Sequence, residues 1–102
     1  MIKAEQGDLL RLSGISFPVM VVSNNFFNDS GKAIVCPINK HPVPGPLHIE
    51  LNDCPVEGYV MCEQLKYIDL SSRRIAKVAT AHYSDIVNIS DAVMGIFDYQ
   101  EF

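Results

Sequence analysis

Apolar and polar positions along the chain fall into two rhythms, one of strands and one of a helix. Gly7–Ser13 (GDLLRLS) alternates enough to form a first strand, and Ser13–Ser16 makes a tight connection out of it. Phe17–Asn24 (FPVMVVSN) and Lys32–Asn39 (KAIVCPIN) are compact apolar runs of strand length. The NNFFNDSG stretch between them carries the Asn, Asp and Gly of a turn. Leu47–Leu51 (LHIEL) alternates cleanly as a half-exposed strand. Tyr59–Leu70 and Ile75–Ala81 read as two more strands, separated by SSRR. The period then changes. In SDIVNISDAVMGIFDY, residues Ile86, Ile89, Val93, Ile96 and Phe97 recur at helical spacing. Ser84 suits the N-cap and Asp85 the positive end of the helix dipole. The pattern predicts five to six strands and one C-terminal helix. Short loops between sequential strands favour a small, strongly bent antiparallel sheet or barrel.

The stretch Asn39–His48 breaks this pattern with three prolines, which remove backbone donors and exclude a central strand, so it is read as a surface loop. No linker or repeat divides the 102 residues, and residues 1–102 are expected to form a single domain with one core. Hydrophobic residues make up 48% and charged ones 20%, which argues against disorder and leaves apolar surface for a partner. The net charge of −4 means that any contact with nucleic acid must use a local basic patch. The N-terminal segment lacks the apolar region of a signal peptide. No apolar run approaches the ~18 residues that would suggest a membrane span. A soluble, cytoplasmic protein with no membrane partner is the expectation. The cysteines Cys36, Cys54 and Cys62 form no Cys-x-x-Cys pair, so no metal site is expected. Cys36 and Cys62 lie within apolar runs and are expected to pack as small hydrophobes.

Several polar residues have both a chemical and a plain reading. Glu63, beside Gln64, is a solvent-facing strand residue by pattern, and a carboxylate at a strand edge also serves as a general base when its surroundings tune it. Arg73 and Arg74 follow two serines. Their guanidinium forks match phosphate oxygens, although paired arginines in a turn are commonly just solvated. His41 stands beside Lys40 at the mouth of the proline loop, a position suited to proton transfer or phosphate binding. His48 reads as an exposed strand residue and His82 as structural. No Ser-His-Asp signature or Gly-rich phosphate loop is present.

The order GDLLRL, FPVMVVSNNFFN, GKAIVCPIN, GYVMCEQLKYIDLSSRRIAKV and a final amphipathic helix resembles the MazF/PemK family of toxin–antitoxin ribonucleases. The resemblance runs from Gly7 to about Phe97 and is most specific in PVMVVSNNFFN and CEQLKYIDLSSRR. It implies a mainly β chain with a C-terminal helix, folded as an SH3-like small barrel of the kind shared with the CcdB gyrase poison, and a homodimer. It also implies an antitoxin partner and metal-independent, cofactor-free cleavage of RNA at short sequences. In that chemistry the RNA 2′-hydroxyl attacks the adjacent phosphate. A base takes its proton, an acid protonates the leaving oxygen, and cations stabilise the phosphorane. By the resemblance, Glu63, Arg73 and Asn39 are the catalytic candidates. Ser16, Phe17, Lys40, His41, Gln64 and Lys66 are the substrate-binding ones.

The match has departures. The family usually places a basic residue where this chain has Phe17, and a Thr where it has Asn39; its first interstrand loop is usually longer than SGIS. Phe17 neither transfers a proton nor neutralises a phosphorane, although it can stack on a base. Lys40, His41 or Arg73 would then have to supply the charge. Two readings follow: a ribonuclease with a rearranged set of cations, or a non-catalytic relative that binds an antitoxin or a gyrase-like target. The first is favoured, because Glu63, Gln64 and Arg73 occur together.

Overall fold

The computed structural model describes residues 3–101. Its elements are β1 (Asp8–Leu12), β2 (Val19–Val21), α1 (Asn25–Asn28), β3 (Lys32–Asn39), β4 (His48–Glu50), β5 (Tyr59–Met61), β6 (Lys66–Asp69), β7 (Ile75–Thr80) and α2 (Tyr83–Ile96). All strand pairs are antiparallel, in the order β4-β5-β3-β2-β1-β7, with β6 also on β3. The expected mainly β chain with a C-terminal helix is the fold observed.

The middle of the sheet is β3, the longest strand. One edge pairs with β2 through Val35, Cys36 and Pro37. The other edge pairs with β6 through Lys32–Val35 and with β5 through Ile38 and Asn39. Backbone donors alternate between the two edges of a strand. Because Ile38 N donates to Pro18 O at 3.0 Å on the β2 side, position 37 would aim its donor at the gap between β6 and β5. A proline fits there because no donor is needed.

The two faces bury separate clusters. Leu10, Leu12, Val19, Val21, Val35 and Ile68 pack on one face, and Leu9, Met20, Cys36, Ile38, Val60 and Cys62 on the other, beneath α2. The alternation of Leu9 with Leu10 and of Met20 with its valine neighbours is the period of two in space. Cys36 and Cys62 are fully buried, and burial pushes their thiols up, to about 12 and about 11. Gly7, with φ +93°, lies where an added Cβ would collide with the Ile86 side chain of α2.

Four expectations need correction. The NNFFNDSG stretch contains a one-turn helix, because the Asn24 side chain accepts from Phe27 N at 2.9 Å and caps it. Tyr59–Leu70 is two strands, since Gln64 N donates to Met61 O at 3.0 Å and turns the chain between them. That break raises the strand count among the described residues to seven. The residue at the α2 N-cap is His82, not Ser84; its side chain makes no cap bond and instead reaches Asp53 O. Ile86, Ile89 and Val93 of the helix face the core, but the face ends there, with Phe97 69% exposed.

Candidate functional site

Strand register brings together residues that are far apart in sequence. Leu10 pairs with Val19 and Val19 with Pro37. One step further along, Arg11 of β1, Pro18 and Ile38 fall in a row across three strands. All three line an open cleft of about 560 Å3. Ser16 and Phe17 enter it from the β1–β2 loop, Asn39 and Lys40 from the end of β3, and Gln64 from the β5–β6 turn. Phe17 also packs against the core beneath, which fixes its place in the wall.

The cleft is basic in an acidic protein. Arg11 and Lys40 line it, and among the described residues no Asp or Glu does. Lys3, Lys32 and Lys77 are held by Asp29, Asp69 and Asp8, whereas Arg11 and Lys40 have no ion pair among the described residues. The Arg11 guanidinium donates to Ser16 O at 3.2 Å, which ties it to the loop beside Phe17. A neighbouring cleft lined by His41, Glu50, Asp53 and Glu57 shares Lys40 but has the opposite character, and Glu57 also lines an adjoining groove with Arg11 and Lys40.

Glu63 places its carboxylate on His48, with Oε1 2.6 Å from Nε2. The other ring nitrogen of His48 meets Val43 O in the proline loop. A neutral imidazole has one N–H, so two acceptors favour the imidazolium. The bond to Glu63, then the bond to Val43 O, raise the His48 pKa. Burial alone would raise Glu63; the hydrogen bond from His48, with help from the Glu63 backbone, outweighs it and leaves the carboxyl lowered. A lowered carboxylate is a weaker base than a free one, but it lies beside a charged acid 2.6 Å away.

The remaining candidates are dispersed. His41 N donates to the Asn39 side-chain Oδ1 at 3.0 Å, and His41 lines the proline-loop cleft with Lys40 and His48. Lys66 is exposed on β6, in register with Val35. Arg73 is exposed on the β6–β7 turn and outside the cleft wall. That turn is held by Asp69, which accepts from Ser71 N, Ser71 Oγ and Lys32 Nζ, so Asp69 lies well below the usual carboxylate range. Its far end is pinned by Arg74 N donating to Ser13 Oγ at 3.1 Å.

Two site residues were not legible in the sequence. Arg11 is the polar position of an alternating strand, and His48 is one of a half-exposed strand. Only the register of β1 on β2, and of β4 on β5, gives them neighbours. Among the described residues, no group of three or more His, Cys, Asp or Glu side chains is placed to hold a metal ion. No described helix is long and apolar enough to cross a membrane.

The family model of PemK-like, MazF-like toxins of type II toxin–antitoxin systems matches residues 14–97. No curated protein matches in sequence. Among solved structures, MazE–MazF (Form-I) from Deinococcus radiodurans is 21% identical, with a TM-score of 0.84, covering 94% of this chain and 97% of that one. An endoribonuclease from Mycobacterial species is 16% identical at a TM-score of 0.82, covering 93% and 91%. An endoribonuclease in complex with its cognate antitoxin, also from Mycobacterial species, is 14% identical at 0.77, covering 95% and 99%. At these identities the likeness is one of fold.

Proposed function

We propose that this chain, which belongs to the PemK-like, MazF-like toxin family of type II toxin–antitoxin systems, is a sequence-specific endoribonuclease that binds single-stranded RNA in the Arg11–Lys40 cleft and cleaves it with the Glu63–His48 pair. That pair lies outside the cleft wall, next to Gln64. The observation that carries the reading is a basic, acid-free cleft in a protein of net charge −4. Such a cleft concentrates a polyanion locally where the molecule as a whole repels it. Phe17 offers a face for base stacking, and Asn39 and Gln64 offer amide donors and acceptors to base edges or phosphate.

The RNA 2′-hydroxyl attacks the adjacent phosphorus and gives up its proton. The P–O5′ bond then breaks, leaving a 2′,3′-cyclic phosphate and a protonated 5′-hydroxyl. Glu63 accepts the first proton and the His48 imidazolium supplies the second, the pair being rearranged by the incoming phosphate. Arg73 contacts the RNA backbone beyond the cleft. Family membership and the solved relatives that carry an antitoxin support a cognate antitoxin as a partner; a second copy of the chain is the partner that the family resemblance implies.

The test is incubation of purified protein with a long RNA in EDTA, followed by end mapping. Cleavage at recurrent short sequences is expected. Glu63→Gln keeps the shape, removes the titrating group and should slow cleavage about 10²–10⁴-fold. Arg73→Ala should weaken RNA binding, and Arg74→Ala should change little. Intact RNA with folded wild-type protein on every substrate would refute the nuclease reading.

A further inference from the structure

We propose that Arg11 is the residue that stabilises the phosphorane, contributing from β1 the positive charge that position 17 lacks. The inference rests on the nuclease reading and assigns its principal cation. Position 17 is occupied by Phe17, whose ring packs against the core and carries no charge. Register places Arg11 one strand over, beside Pro18, with its side chain in the same cleft wall as Phe17.

Three observations separate Arg11 from the other basic residues. It has no carboxylate partner among the described residues, unlike Lys3, Lys32 and Lys77. It is oriented before any ligand arrives, because one N–H is committed to Ser16 O at 3.2 Å. A guanidinium has five N–H donors, so this bond leaves most of the fork for phosphate oxygens. Lys40 shares the cleft but has no hydrogen bond fixing its ammonium among the described residues, and a mobile point charge serves binding better than a preorganised transition state. Arg73 and Arg74 lie on the turn outside the wall.

A group aimed at charge that develops only in the transition state changes kcat more than binding. The experiment measures single-turnover cleavage of an RNA oligonucleotide containing the mapped site. It also measures affinity for the same oligonucleotide made uncleavable by a 2′-deoxy sugar at that position. Arg11→Gln should lower the cleavage rate about 10²–10³-fold and shift affinity for the uncleavable analogue by no more than about threefold. Arg11→Lys, which restores charge without the fork, should recover part of the rate. Lys40→Gln should weaken affinity with a smaller effect on rate. Arg11 is exposed, so the melting temperatures should agree with wild type.

A wild-type rate in folded Arg11→Gln would overturn the assignment and leave the nuclease reading intact. Equal losses in rate and affinity would overturn it too, making Arg11 a substrate anchor. No cleavage by the wild type itself would overturn both.

Discussion

Asp85 is 1% exposed in the first turn of α2, and both its oxygens serve one residue of the loop after β4. Oδ2 accepts from Asn52 N at 2.9 Å and Oδ1 from Asn52 Nδ2 at 3.0 Å. Replacing Asp85 with Ala removes both bonds. A hydrogen bond to a charged acceptor contributes about 1.5–3 kcal/mol, so the gross loss is about 3–6 kcal/mol. Relief from holding a carboxylate out of water returns on the order of 2 kcal/mol. The loss of negative charge at the helix N-terminus, about 0.5 kcal/mol, roughly cancels the better helix propensity of Ala. The net is about 1–4 kcal/mol, which in a domain of about 100 residues lowers Tm by roughly 4–30 °C. Asn52→Ala breaks only the side-chain bond, so it should cost about 1.5–3 kcal/mol, and the double variant should cost less than the two singles together. Thermal melts by circular dichroism at pH 7 measure all three. A fall below about 4 °C in Asp85→Ala would show that burial of the carboxylate cancels its bonds. Strict additivity would show that Asn52 is not its partner.

Three further outcomes are expected. The His48–Glu63 pair is complete between the two ordinary pKa values, 4.5 and 6.5. His48 is raised, so its contribution is full below 6.5 and is lost as pH climbs through the raised value. Glu63 is lowered, so its contribution is full above 4.5 and is lost as pH falls through the lowered value. The cleavage rate should therefore be bell-shaped in pH, and His48→Gln should abolish the alkaline limb; an unchanged limb removes His48 from the proton chemistry. Iodoacetamide on the native protein should label the half-buried Cys54 alone, because Cys36 and Cys62 are buried with thiols pushed to about 12 and about 11; rapid native labelling of either, read by mass spectrometry, would contradict the packing. Gly58→Ala should cost about 1–3 kcal/mol and disturb cleavage. Gly58 has φ +141°, and an added Cβ would lie 2.7 Å from Ile38 Cγ2 and 3.0 Å from Asn39 O. A melt and a cleavage rate both like wild type would show that the cleft floor yields freely.

The fold was legible where one face of an element decides its fate. The run Lys32–Asn39 carries enough apolar residues to be the central strand, and the three-residue Ile86–Ile89 spacing announces a helix with one buried side. Local competition hid the rest. Nothing in FFND resembles a helix until the Asn24 side chain is seen to cap it, and CEQL reads as continuous strand until the Gln64–Met61 bond turns it. Asp85 lies in the first turn of α2, as the dipole reading expects, but it is also tied to Asn52 across the fold, and the N-cap falls on His82 and not on Ser84. At the site, Phe17, Asn39, Lys40 and Gln64 could be picked because each falls at a position of the family pattern, in three separate stretches of the chain. Arg11 and His48 acquire their neighbours through antiparallel register, a non-local quantity that no residue window contains.

The turn between β5 and β6 has a consequence for how such a molecule can change. Glu63 and Gln64 sit where the edge of β3 has no ladder partner, opposite a proline that withholds its donor, and they are flanked by Cys62, which is buried, and Leu65, which is half-buried against the core. The flanks hold the backbone, so the two exposed positions carry no share of the sheet's bonding. On the nuclease proposal, new side chains at Gln64 would retune which RNA letters are read, with Glu63 kept for the proton, while the strands keep their register. Selectivity and foldability are thus written in separate residues, and one can drift while the other stands still.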